Sequence, residues 1–268
     1  MTFTAMALFS LLLEAFVCFA LPVGLMIFWR SKSGSGWKPV LVGAAMFFLF
    51  AMVLEQILHT FVLVLDTPIK AFITQHAVAY MLYGSFAAGI FEETGRLLGF
   101  RLMKQDAHPR TAVAYGLGHG GMEMMLLVGV SAVSNVVLGV LVGKLGIEGV
   151  FPGYSADQLA AVTESVQAIF DVGIGDVLLA LLERCSALVV QVSLSVLVFA
   201  ALHQRGKWYY YPAAIVLHAV LDMPVALYQF GVLTNLVLLE GLILVLAIVY
   251  AALAYRVYRG IGRAYSGV

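Results

Sequence analysis

The residues 89–100 read GIFEETGRLLGF, placing Glu92, Glu93 and Arg96 in surroundings that are otherwise apolar. Two further polar positions have matching character: YGLGHGGME puts His119 and Glu123 four residues apart, and IVLHAVLD does the same for His218 and Asp222. On a helix, residues four apart lie on one face, so each pair presents an imidazole and a carboxylate together. A carboxylate and two imidazoles meeting in a dry cavity can carry general acid/base chemistry. The carboxylate polarises a water, one imidazole orients it, and another group donates to a developing oxyanion.

The elements that must position these groups are membrane helices. Of the 268 residues, 62% are hydrophobic and only 11% are charged, which sets the chain apart from soluble domains. The fold class is all-α, a polytopic helix bundle. Spanning a hydrocarbon core of about 30 Å takes about 20 apolar residues. Seven stretches qualify: 3–29, 39–65, 72–103, 111–143, 174–203, 209–229 and 233–256. Arg30, Lys32 and Lys38, then Arg101, Lys104 and Arg110, then Arg205 and Lys207, then Arg256, Arg259 and Arg263 occupy alternate connections. The positive-inside rule then sets the N-terminus outside and the C-terminus in the cytoplasm. A bacterial plasma membrane is the expected location.

The chain reads as one integral-membrane domain, 1–268, with a catalytic core over about 72–230. The connection 144–173 is acidic and extracytoplasmic in this orientation, and SADQLAAVTESVQAIF within it predicts an amphipathic helix capped by Ser155. Cys18 and Cys185 lack metal or disulfide spacing and read as small hydrophobes. Lys+Arg and Asp+Glu each total 15, so no net field favours nucleic acid. The expected partners are the lipid bilayer and a membrane-associated peptide or protein.

Counting from the cytoplasmic charges fixes depth. Glu93 lies about 15 Å inside the membrane at 1.5 Å per residue. His119 is nine residues past Arg110 and His218 eleven past Lys207, so all three fall at one level. Intramembrane ionisable groups at one depth are a functional signal, because lipid offers little other reason to retain them. The glycines at 116, 118, 120 and 121 would let neighbouring helices approach His119 closely. Because all the levels are counted from the cytoplasmic end, the site is expected to open on that side, near Gly99.

Three ordered motifs carry a resemblance: Glu92-Glu93 followed by Arg96, Tyr115 four residues before His119 with Glu123 beyond it, and His218 followed by Asp222. Together they resemble the CAAX prenyl protease and bacteriocin-processing superfamily of glutamic intramembrane proteases, most closely its YhfC branch of membrane peptidases. The resemblance implies an intramembrane endopeptidase in which Glu92 or Glu93 with His119 activates water, and His218 with Asp222 stabilises the oxyanion. Arg96, Tyr115, Glu123, Glu183, Arg184 and Gln191 take supporting places. Two departures stand out: EETGR has two residues between glutamate and arginine where the wider superfamily has three, and Gln191 stands where the branch carries a histidine after Glu183-Arg184.

An amide is a poor metal ligand, so the expected mechanism is metal-independent. A zinc-dependent alternative would use Glu93, His119, Glu123 and His218. A proton-coupled transporter or a non-catalytic scaffold are the competing functions; the sequence shows no internal repeat and no paired broken helices, the usual marks of alternating access.

Overall fold

A computed structural model describes residues 2–103 and 106–266. Lys104, counted above among the positive residues, lies outside the described residues. The described residues are helical throughout, with no strand. The helices are α1 (Ala5–Ser33), α2 (Trp37–Phe47), α3 (Gln56–His59), α4 (Pro68–Gln75), α5 (Ala77–Leu102), α6 (Arg110–Met124), α7 (Val130–Val150), α8 (Ala156–Phe170), α9 (Ile174–His203), α10 (Tyr210–Gln229) and α11 (Leu236–Ser266). Wide π-helical turns join some of them at Phe48–Glu55, Thr60–Val64 and Met125–Gly129.

Among the described residues, six helical stretches are long and apolar enough to cross a membrane: Ala5–Ser33, Trp37–Val64, Arg110–Val150, Ile174–His203, Tyr210–Gln229 and Leu236–Arg263. The remaining expected span, 72–103, divides into the short α4 and the 26-residue α5. Helix α5 is long enough to cross but less apolar, because it carries Glu92, Glu93, Arg96 and Arg101. The expected span 111–143 continues as helix to Val150, with a left-handed break at Gly146 (φ 72°) that glycine adopts without steric penalty. Large apolar side chains such as Phe16, Leu41, Phe61, Val237 and Ile248 face outward, as a surface solvated by lipid requires.

The chain, read above as one domain, groups into two compact units. One comprises residues 1–21 and 124–184. In it, Cys18 packs with Met124, Val177 and Leu181, and Phe170 of α8 packs with Val142, Val166 and Phe3. The amphipathic helix expected here forms, and Ser155 caps it: the Ser155 hydroxyl accepts from the Gln158 backbone N–H while the Gln158 side chain accepts from the Ser155 N–H. Cys18 and Cys185 are not joined in a disulfide; Cys18 is buried as expected, whereas Cys185 is only partly so.

The second unit comprises residues 22–123 and 185–268 and holds every motif residue from Glu92 to Asp222 except Glu183 and Arg184. Within it, residues 190–200 of α9 run through the interior: Leu194, Val198, Phe199 and Ala200 are fully buried, and a helix apolar on all sides belongs there. Helix α6 packs against α2 on one side and α9 on the other. Gly118 lies directly on the Val40 backbone, while a Cβ on Gly116 would sit 2.6 Å from Val192 Cα and one on Gly120 2.7 Å from Gln191 Cβ. The glycines around His119 therefore set helix separation on two faces, as their spacing suggested.

Gly89 does the same between α5 and α10, where a Cβ would stand 2.8 Å from the Ile215 carbonyl oxygen and 3.5 Å from His218 Cβ. Because backbone cannot rotate away, Gly89→Ala should force the helices apart and cost about 1–3 kcal/mol. Gly24→Ala, at an exposed mid-helix position that meets nothing within 4 Å, should be neutral or stabilising by up to about 1 kcal/mol. Thermal unfolding of the two purified variants in detergent checks the contrast.

Candidate active site

Helix α5 supplies the charge. Glu93 and Arg96 are fully buried and Glu92 nearly so. Arg96 stands one turn after both glutamates, at i+4 and i+3, and reaches back to each: Nη2 lies 3.5 Å from Glu92 Oε2, and Nη1 pairs with Glu93 Oε1. An unpaired ion buried this deeply would be prohibitive, so one guanidinium is paired with two carboxylates.

The two imidazoles arrive from α6 and α10. His119 Nε2 is 2.9 Å from Glu92 Oε2. His218 Nδ1 is 2.7 Å from Glu93 Oε1, and its Nε2 faces Glu92 Oε1 at 3.9 Å and Asp222 Oδ2 at 3.5 Å. A carboxylate accepts only, so Nδ1–H donates to Glu93 and, in neutral His218, the Nε2 lone pair looks toward Glu92. The two glutamates, adjacent in sequence, thus occupy different places: Glu93 is wedged between Arg96 and the rear of His218, whereas Glu92 lies between the two Nε2 atoms.

The surrounding side chains hold this arrangement. Tyr115 stacks on His119 with ring centroids 6.0 Å apart and donates to the Gly95 carbonyl at 3.3 Å. Phe47 meets His119 edge-on at 5.2 Å, a neighbour that no motif indicated. Gln191 Nε2 donates to Glu92 Oε2 at 3.1 Å and also pairs with Glu123. The amide at the place of the branch's histidine therefore lies against the central carboxylate. His119 Nδ1 and Gln191 Oε1 are buried without a hydrogen-bond partner among the described residues.

Glu92, Glu93, Arg96, Tyr115, His119, Glu123, Gln191, His218 and Asp222 thus come together in one connected cluster. Glu183 and Arg184 fall in the other compact unit, where they pair with one another. Helix geometry separates neighbouring side chains at Cβ, but long side chains can fold back on each other.

The zinc set read from sequence lies within this cluster, but its two carboxylates are engaged by other partners. Glu93 is taken by Arg96 and His218, and Glu123 by Gln191. Glu92 instead contacts both His119 and His218, and His218 also faces Asp222. Tetrahedral zinc bonds of about 2.0–2.2 Å set neighbouring donors roughly 3.3–3.5 Å apart. The contacts His119–Glu92 at 2.9 Å, His218–Asp222 at 3.5 Å and His218–Glu92 at 3.9 Å bracket that spacing. As arranged, no three His, Cys, Asp or Glu side chains among the described residues form a ready metal site. The donors are of the kinds that zinc takes, and a metal held by them would replace the imidazole–carboxylate hydrogen bonds. The Glu93–His218 contact is the kind of pairing that orients a ligating imidazole.

The expected opening near Gly99 is not found. Gly99 is buried, a Cβ there would stand 2.7 Å from the Tyr115 ring, and Phe100 is sealed beside it. A cleft of about 310 Å³ adjoins the site from the other direction, lined by Asp222 and extending past Ser85 and Tyr83 to Tyr80 and Gln229. Aromatic packing closes the bundle at Gly99. Tyr83 and Ser85 carried one readable signal: Ser85 precedes Glu92 by seven residues, two helical turns along the same face.

No solved structure matches this chain. The membrane protein YhfC of Bacillus subtilis (strain 168) is 33% identical over 258 residues, covering 94% of this chain and 98% of that protein. The sequence model of the YhfC intramembrane metalloprotease family matches residues 17–243, which takes in the whole constellation from Glu92 to Asp222. A multi-pass protein of the cell membrane by its helices and this relative, the chain belongs to the YhfC intramembrane metalloprotease family.

Proposed function

We propose that the protein is an intramembrane peptidase that hydrolyses a peptide bond of a membrane-associated substrate at Glu92. The observation that carries this reading is the placement of Glu92 between His119 Nε2 and His218 Nε2 in a buried site. A water between Glu92 Oε1 and His218 can surrender a proton to the carboxylate as its oxygen attacks the scissile carbonyl carbon. The proton then passes to the leaving nitrogen, and the C–N bond breaks to give an acid and an amine. His119 holds Glu92 in place, and Gln191 does the same from α9. Glu93 fixes the ring of His218 through Nδ1, leaving Nε2 and Asp222 on the substrate side.

Support for a metal comes from the family description and from the donor set Glu92, His119, His218 and Asp222. When bound there, a zinc ion would supply a Lewis acid and ease water deprotonation at neutral pH. The hydrogen bonds already joining the imidazoles to Glu92 and Glu93 support the competing glutamate–histidine scheme. Elemental analysis separates the two. Stoichiometric zinc in the wild type, lost from His119→Ala and His218→Ala, fits the metallopeptidase; a zinc-free protein that still cleaves after prolonged chelation fits the metal-independent scheme.

Glu92→Gln should lower peptide cleavage by at least about 100-fold, the usual scale for losing a general base. Glu93→Gln, which keeps a polar group behind His218, should cost less. Cleavage of fluorescein-labelled β-casein by the purified variants measures both, and equal activity in Glu92→Gln and wild type contradicts the assignment.

Arg96→Met tests a different property. It leaves two buried carboxylates without their cation, so it should destabilise the fold by about 3–5 kcal/mol, visible as a large fall in melting temperature. A melting temperature like that of the wild type would show that Arg96 is not the neutralising group.

A further inference from the structure

The cleft beside Asp222 is built from α3, the following π turn, α5 and α10, and its walls carry His59, Leu63, Tyr83, Ser85, Asp222 and Val225. Leu63 and Val225 make it partly apolar. Its polar groups are unevenly satisfied. Ser85 is 1% exposed, and its Oγ has no hydrogen-bond partner among the described residues. Serines elsewhere in these helices, Ser131, Ser134, Ser193 and Ser195, donate to the carbonyl four residues back. Ser85 has no such bond, so a buried hydroxyl on the wall of the cleft keeps its donor and its acceptor capacity.

Tyr83 adds a second group. His59 lies between two wide π turns, with Nε2 3.2 Å from Glu55 Oε1 and Nδ1 2.7 Å from the Tyr83 hydroxyl. Such turns in membrane helices often mark functional positions. If Nδ1 accepts from Tyr83, the phenol oxygen retains lone pairs for an N–H in the cleft; if Nδ1–H donates, the phenol hydrogen is released to a carbonyl. In either case the His59–Glu55 pair orients Tyr83 and leaves it one bond to make.

We infer that this cleft binds an unwound segment of the peptide substrate, with Tyr83 and Ser85 hydrogen-bonding its main chain and leading the scissile bond to Asp222 and His218. Each peptide unit offers one N–H and one C=O, and in a membrane helix both are already paired. A lipid chain would leave Ser85 and Tyr83 unsatisfied. An extended peptide matches both groups, and the apolar walls accept its side chains. At about 310 Å³, the space is at the small end of the roughly 300–1,000 Å³ typical of ligand sites, enough for a short segment and too small for a packed helix.

The inference rests on the peptidase reading, and binding separates the two. Full-length Glu92→Gln protein in detergent is titrated into fluorescein-labelled β-casein, and anisotropy is followed. Adding Ser85→Ala or Tyr83→Phe, each removing one hydroxyl, should weaken binding about fivefold, and Ser85→Leu, which fills the cleft, at least tenfold. Unchanged melting temperatures for the two hydroxyl deletions establish that the effect is local. Binding as tight as in the parent for both deletions overturns the inference, as does failure of the Glu92→Gln parent to bind casein. Cleft-dependent binding without casein cleavage by the wild type upholds the cleft and removes the peptidase reading.

Discussion

A guanidinium with no exposure to solvent must find its counter-charge within the reach of its own side chain. Arg96 finds it on its own helix, one turn back, in Glu92 and Glu93. Much of the site follows from that constraint. Two carboxylates share one cation, so the local charge is negative, and groups able to donate or carry a proton settle around it: His119, His218 and Gln191. The adjacent glutamates then diverge. One side chain is enclosed by the cation and the rear of His218, and the other is left between two imidazoles.

Such a cluster is held only if the helices bearing it come close. Glycine makes that possible here: Gly89 brings α10 onto α5, while Gly116, Gly118 and Gly120 let α6 lie between α2 and α9. His119 and His218 are each carried on a helix that has a glycine contact within one turn of the histidine. The geometry of the site and the packing of the bundle are therefore one problem, and a methyl group at these positions would disturb both. Dry surroundings also strengthen each polar contact, because little competing water screens them.

The convergence of the site was legible in the sequence. Counted from the Lys and Arg clusters, Glu93, His119 and His218 were expected at one level, and they do belong to one contact cluster. The rotation of each helix was not legible. Whether Glu92 or Glu93 lies between the two Nε2 atoms depends on some 100° of rotation, and tertiary packing alone sets it. The same gap explains the zinc set: Glu123 shares a face with His119 as i+4 spacing requires, yet Gln191 of α9 reaches it first. Charge counts carry no signal of side-chain packing, so the closure of Gly99 by Tyr115 and Phe100 was not legible. Ser85 gave little warning, since an isolated serine in an apolar helix usually bonds its own backbone.

The central claim is that Glu92 activates water to cut a peptide bond. Incubating the purified protein with β-casein in ¹⁸O-enriched water and reading the products by mass spectrometry tests it most directly, because hydrolysis writes one solvent oxygen into each new carboxyl terminus. The account predicts new termini carrying one ¹⁸O with the wild type and none with Glu92→Gln. Labelled termini formed at equal rates by both proteins, or no new termini from the wild type, would contradict it.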